Sequence, residues 1–209
     1  MLEKMLNMFI VLLVVVDPVG VTPVFGALTR GGGELHRRRM AVKGTLLAAG
    51  ILLIFALIGD WLLTTLGITL PAFKIAGGIL LFLIAMDMVF ARQSGGRSTT
   101  GREQEEARHK EDISVFPLAF PLIAGPGALT TILLMVGESH GNPLYFVSMI
   151  GVLLVILLLT LVCLLMAGRL MKILGETGAN VMDRLFGVIL AALAVQFVLD
   201  GIHAVFMPA

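Results

Sequence analysis

The sequence predicts an all-α polytopic membrane protein: six transmembrane helices forming two inverted three-helix repeats, the first helix of each repeat broken. Three observations lead there. Of the 209 residues, 58% are hydrophobic and only 14% charged, with a mean hydropathy of +1.01, whereas a soluble domain is about half apolar and about one quarter charged. Apolar runs long enough to cross a bilayer recur six times along the chain. A Pro/Gly motif interrupts the first run of each half.

A spanning helix needs roughly 20 mostly apolar residues, and the candidates are 6–28, 41–66, 71–91, 113–137, 144–168 and 181–205. The fourth and fifth contain no charged residue. The first carries Asp17 near its middle. Lys4 and the apolar stretch after it have the outline of a signal peptide, but Asp17-Pro18 interrupts the stretch and more apolar runs follow. The first run is therefore expected to stay in the membrane. Cys163, the single cysteine, lies in the fifth run and reads as a small packing residue.

Segment 92–112 is hydrophilic and opens on Gln-Ser-Gly-Gly-Arg-Ser-Thr-Thr-Gly, the composition of a flexible linker. It separates a first repeat, 1–91, from a second, 113–209. Charge sets the orientation. The first, third and fifth connections and their flanks hold Arg30, Arg37, Arg38, Arg39, Lys43, Arg92, Arg97, Arg102, Arg108, Lys110, Arg169, Lys172 and Arg184, while only Lys4 and Lys74 fall on the other side. The positive-inside rule puts the basic side, with the linker, in the cytoplasm and both termini in the periplasm. Arginine runs flanking spans read as topological signals, so no nucleic-acid partner is expected.

The repeat is legible in two places. Asp17-Pro18-Val19-Gly20-Val21-Thr22-Pro23 aligns with Gly125-Pro126-Gly127-Ala128-Leu129-Thr130-Thr131, and Lys74-Ile75-Ala76-Gly77 aligns with Arg184-Leu185-Phe186-Gly187. Three spans per repeat is odd, so the second half enters from the opposite side. Paired Gly/Pro interruptions in inverted repeats point to the binding site of a secondary transporter.

Pro18 and Pro126 each lack an N–H and obstruct the carbonyl one turn earlier. Freed backbone groups are tolerated at membrane depth only inside protein or against a wet cavity. A polar cavity near the midplane is the expectation, with half-helix N-termini aimed at an anionic group. Candidate substrate-binding residues are Asp17, Pro18, Gly20, Thr22, Gly125, Pro126, Gly127 and Thr130, and Thr131 can add a hydroxyl. Asp17 has two readings, a functional mid-membrane carboxylate or the N-cap of a half-helix beginning at Pro18. Asp60, Asp87 and Asp200 lie near span ends, Lys74 and Arg184 snorkel or pair with acids, and Gln196 reads as a polar contact between helices. Four histidines (His36, His109, His140, His203) show no catalytic or metal spacing, so no enzyme, metal or cofactor is expected.

Three ordered motifs resemble the MarC family, also described as a six-span neutral amino acid transporter family. They are Asp17-Pro18-Val19-Gly20-Val21-Thr22-Pro23-Val24-Phe25, Ala72-Phe73-Lys74-Ile75-Ala76-Gly77-Gly78-Ile79-Leu80-Leu81, and the stretch from Phe116-Pro117 through Phe120-Pro121 to Gly125-Pro126-Gly127-Ala128-Leu129. The resemblance covers nearly the whole chain. It implies a bacterial or archaeal inner-membrane protein that moves small neutral amino acids. The family's first motif usually opens with Asn, and this chain has Asp17 there. A fixed negative charge would repel a substrate carboxylate and favour an ammonium or a cation.

The expected function is secondary transport of a small solute, a neutral amino acid by resemblance, coupled to H+ or Na+. Alternatives are export of metabolites or cations, with Asp17 as cation site, and a non-transporting scaffold whose linker recruits a partner. Membrane lipid is the expected environment, and a homo-oligomer is compatible with every one of these readings.

Overall fold

A computed structural model describes residues 2–29, 31–90, 112–139 and 142–206, and these are helical with no strand. The elements are α1 (Leu2–Val16), α2 (Pro18–Leu28), α3 (Glu34–Thr65), α4 (Leu70–Phe90), α5 (Ser114–Ile123), α6 (Pro126–Glu138), α7 (Pro143–Leu165) and α8 (Ala167–Phe206). Among the described residues, five stretches are long and apolar enough to cross a membrane: Leu2–Leu28, Glu34–Gly59, Leu70–Phe90, Pro143–Leu165 and Asn180–Phe206. The pair α5–α6, bent by 56°, brings the number to six when counted as one span. The linker expected at 92–112 lies outside the described residues except for Asp112.

The first crossing is central, with 61% of its apolar window buried against 22% for the last. Around it, Leu57 and Trp61 of α3, Val147 and Leu158 of α7, and Val188 and Leu199 of α8 are exposed. Apolar patches of that extent face a partner or a membrane. Here they belong to bilayer-length helices, and acyl chains are the solvent that suits them.

Helix α3 starts at Glu34 rather than near residue 41, so Arg37, Arg38 and Arg39 sit on its first turns and not in a loop. Its 32 residues reach about 48 Å, well beyond a hydrocarbon core of roughly 30 Å. The surplus turns carry the arginines out of the apolar layer. At the other end of the chain, α8 also begins earlier than expected, and Gly175 (φ 64°) divides it.

Glycines set the helix order. A Cβ added to Gly44 would stand 2.8 Å from Leu118 Cγ, and one on Gly59 would run into Leu133, so α5 and α6 follow α3 from its start towards its end. Gly77 faces Thr130 and Gly137 faces Leu70, which makes α6 antiparallel to α4. Helices α4 and α8 are antiparallel too. Added Cβ atoms at Gly78, Gly187 and Gly201 would lie 2.7 Å from the Ala194 carbonyl, 2.8 Å from Met88 Cβ and 2.8 Å from the Pro71 carbonyl. Small residues at such crossings let backbones approach where no hydrophobic force drives helices together.

Candidate functional site at the two helix breaks

The two breaks differ in construction. At the first, only Asp17 leaves the helix. Its backbone adopts the left-handed conformation (φ 46°, ψ 70°), which Asp and Asn tolerate better than other side chains. The ladder continues through it: the Asp17 N–H donates to the Leu13 carbonyl (2.9 Å), and the Val21 N–H donates to the Asp17 carbonyl (3.1 Å). Pro18 occupies the first position of α2, where its missing N–H costs nothing. The Gly20 N–H donates to Asp17 Oδ1 at 3.0 Å. Asp17 is therefore the N-cap of α2, and it is completely buried.

The second break is wider, and the expected regular span from residue 113 is not what forms. Phe116 (φ −128°, ψ 125°) and Phe120 (φ −133°, ψ 130°) are extended inside α5. Each precedes a proline, Pro117 or Pro121, and a proline drives its predecessor out of the helical region. The Phe116-Pro117 and Phe120-Pro121 peptide bonds are cis. Five-residue hydrogen bonds close the enlarged turns, Leu118 N–H to Ile113 O (3.1 Å) and Ala124 N–H to Ala119 O (2.8 Å). Gly125 is then extended (φ −74°, ψ 172°), and α6 restarts on Pro126. The first-turn N–H groups of Gly127 and Ala128 precede the first helical bond, made by Leu129 to Gly125 O, as at any helix start.

The breaks meet side by side. A Cβ on Gly127 would lie 3.0 Å from Leu81, 3.3 Å from Ile84 and 3.6 Å from Val15, which sits just before Asp17. A narrow cleft opens here, lined by Gly125, Pro126 and Gly127 with Val15, Leu81, Ile84 and Leu190 among its walls. Its void of about 270 Å³ includes open solvent, and the enclosed part holds about one water. The lining has no charged side chain, so the cleft is apolar where a polar cavity was expected. Of the candidate residues, Gly125, Pro126 and Gly127 line it. Asp17, Pro18, Gly20, Thr22 and Thr130 do not.

The three hydroxyls differ in their surroundings. Thr22 Oγ1 donates to the Pro18 carbonyl at 2.7 Å, back along its own helix. Thr130 is buried against Gly77. Thr131 is fully buried, and its hydroxyl has no hydrogen-bond partner among the described residues. Gln196, expected to link helices, donates instead to Asp200 Oδ1 on its own helix at 2.7 Å.

One acid escapes the sequence reading. A Cβ on Gly20 would overlap Asp17 Oδ2 and lie 2.8 Å from Asp183 Oδ1. Two carboxylates, one from α2's cap and one from α8, thus border a single glycine. The signal available was an acid three residues inside the last apolar stretch, beside the Arg184 that the repeat singles out. At the bundle end, Asp112 pairs with Lys43 and accepts from the Ser114 N–H at 2.9 Å. The Lys43 ammonium first, and then Ser114, hold the Asp112 carboxyl below the usual carboxylate range.

Comparisons with known proteins place the chain among integral membrane proteins. The model for MarC family integral membrane proteins matches residues 2–206. A UPF0056 membrane protein of Methanocaldococcus jannaschii is 39% identical over 90% of this chain and 91% of its own length. The UPF0056 membrane protein YhcE of Escherichia coli (strain K12) is 36% identical over 95% and 91% of the two chains. The UPF0056 inner membrane protein YhgN of the same organism is 34% identical over 97% and 98%. No solved structure matches. The chain belongs to the MarC family of integral membrane proteins.

Proposed function

We propose that the protein is a secondary transporter of a small solute, a neutral amino acid, driven by H+ or Na+ across the inner membrane, with both termini periplasmic. The observation that carries this reading is the pair of acids, Asp17 and Asp183, converging on Gly20 beside a helix break. An intramembrane carboxylate is a functional candidate by default. Two of them facing one glycine offer oxygen ligands to a proton or a small cation, which makes the pair the coupling group of this reading.

The same charge argues against a substrate carboxylate at the first break. The second break suits it better: no acid lines the cleft, and α6 begins there with unspent amides and a positive dipole end. Apolar walls next to those amides fit a glycine- or alanine-sized side chain. On this reading Gly125, Pro126 and Gly127 bind solute, while Asp17 and Asp183 bind the ion. The cleft is too narrow for an amino acid in this state, so transport requires an opened one.

Two halves related by inversion supply the second state. The α4–α8 crossing supports such a relation, since these helices occupy corresponding places in the repeat and pack antiparallel. The inner-membrane placement rests on the name of the YhgN relative and on the basic residues of α3 and α8.

The test is uptake of labelled alanine into proteoliposomes under an imposed pH or sodium gradient. Asp17→Asn and Asp183→Asn are expected to abolish gradient dependence, and Gly127→Leu to block uptake. Flux that ignores both gradients in the unaltered protein refutes the coupling.

A further inference from the structure

A second binding surface lies where α8 begins. Gly175, with φ 64° and ψ 176°, interrupts α8, and residues 167–174 form a separate helix between the crossings Pro143–Leu165 and Asn180–Phe206. Placed at 100° per residue, Ala167, Leu170 and Met171 share the face turned to the protein, being buried or half-buried. Arg169, Lys172 and Ile173 share the opposite face, and all three are exposed, Ile173 at 82%. A large aliphatic side chain bare beside two cations is poorly suited to water.

Helix contacts place this segment at the basic end of the bundle. Gly187 packs on Met88 near the end of α4, while α6 ties the start of α4 to the end of α3 through Gly137–Leu70 and Gly59–Leu133. The start of α8 therefore shares its end with the start of α3, where Arg37, Arg38 and Arg39 are exposed. Among the described residues, only Lys4 and Lys74 serve the opposite end.

We propose that residues 167–174 form an interfacial helix that binds anionic phospholipid headgroups. Arg169 and Lys172 take the phosphates, Ile173 enters the headgroup–acyl boundary, and Arg37–Arg39 add to the local positive field. The combination of basic residues with an outward aliphatic is how an amphipathic segment lies in the plane of a membrane, and interfacial cations favour anionic leaflets. The positive-φ glycine lets the helix leave the axis of the crossing that follows.

Amide hydrogen exchange of the full protein in nanodiscs tests this. Exchange over residues 167–174 is expected to be slower in phosphatidylglycerol-rich discs than in phosphatidylcholine discs. The Arg169→Gln/Lys172→Gln double variant should lose that difference, each cation being worth roughly fivefold, and high salt should reduce it. The Ile173→Ser variant should exchange faster in both lipids while keeping the preference. Exchange elsewhere in α8 reports whether each variant is folded. Equal exchange in the two lipids, or a lipid preference that survives the double substitution in folded protein, overturns the proposal.

Discussion

Gly20→Ala separates two accounts of the first break. In an unconstrained helix the change is favourable, since alanine is better than glycine by roughly 0.5–1 kcal/mol. Gly26 offers that situation on the same helix, because a Cβ there meets nothing within 4 Å. At Gly20 the new methyl would overlap Asp17 Oδ2 and press to 2.8 Å from Asp183 Oδ1. Asp17 must swing away and give up the bond from the Gly20 N–H. An N-cap is worth about 1 kcal/mol, and a buried hydrogen bond to a charged group about 1.5–3 kcal/mol. The propensity gain does not offset that, so a net loss of about 1–2 kcal/mol is expected. Thermal unfolding in one detergent, with Gly26→Ala as the control, should place Gly20→Ala several degrees below the parent and Gly26→Ala at or above it. Equal melting of the two variants would refute the close approach of the acids.

Replacing the cap itself distinguishes conformation from charge. Asp17→Asn keeps both the acceptor and the tolerance for φ 46°, so stability should stay near that of the parent. Asp17→Ala loses the cap and carries a left-handed alanine, about 1–2 kcal/mol for each effect, and should melt clearly lower. The Lys43–Asp112 pair is about half exposed, so a double-mutant cycle should find a coupling below about 1 kcal/mol. The Asp112 carboxyl is held below its ordinary value of 3.8, so this coupling is complete above that pH. It fades as acid protonates the folded form, and unchanged coupling in strong acid would contradict the pairing.

Much of the fold is legible because bilayer length and apolarity impose it. The six runs, the breaks at Asp17-Pro18 and Gly125-Pro126, and the family all follow from local sequence. The extents of α3 and α8 are less legible: Arg37–Arg39 read as loop by hydropathy, yet a helix continues happily into water once nucleated in the membrane. The irregularity of α5 is written in Phe116-Pro117 and Phe120-Pro121, whose four-residue spacing repeats the proline effect on each turn. Asp183 is legible only in part, because its significance depends on which helix it faces. Nothing local to residues 180–187 tells that Gly20 is opposite. The cleft's apolar character is hidden in part for the same reason, since Thr130 turns to Gly77 of another helix, while Thr22 bonds back to Pro18 on its own.

The inversion proposed for the two halves has a test in the α4–α8 crossing. Lys74 and Arg184 are 110 positions apart in the alignment of the third helices. Under that offset Met88 corresponds to Val198, and Gly187 to Gly77. Gly187 packs against Met88, and Val198 packs against Gly78, one residue from the position the offset requires. This order agrees with an axis through the crossing, and it is also the order in which any two antiparallel helices packed along their length pair their residues. In a Cys163→Ala background, Met88→Cys/Gly187→Cys and Gly78→Cys/Val198→Cys should therefore cross-link with similar yields, because backbones this close fall within disulfide reach of about 4.4–6.8 Å between Cα atoms. Clearly unequal yields would show that the two ends of the crossing are not equivalent and would remove the axis from it.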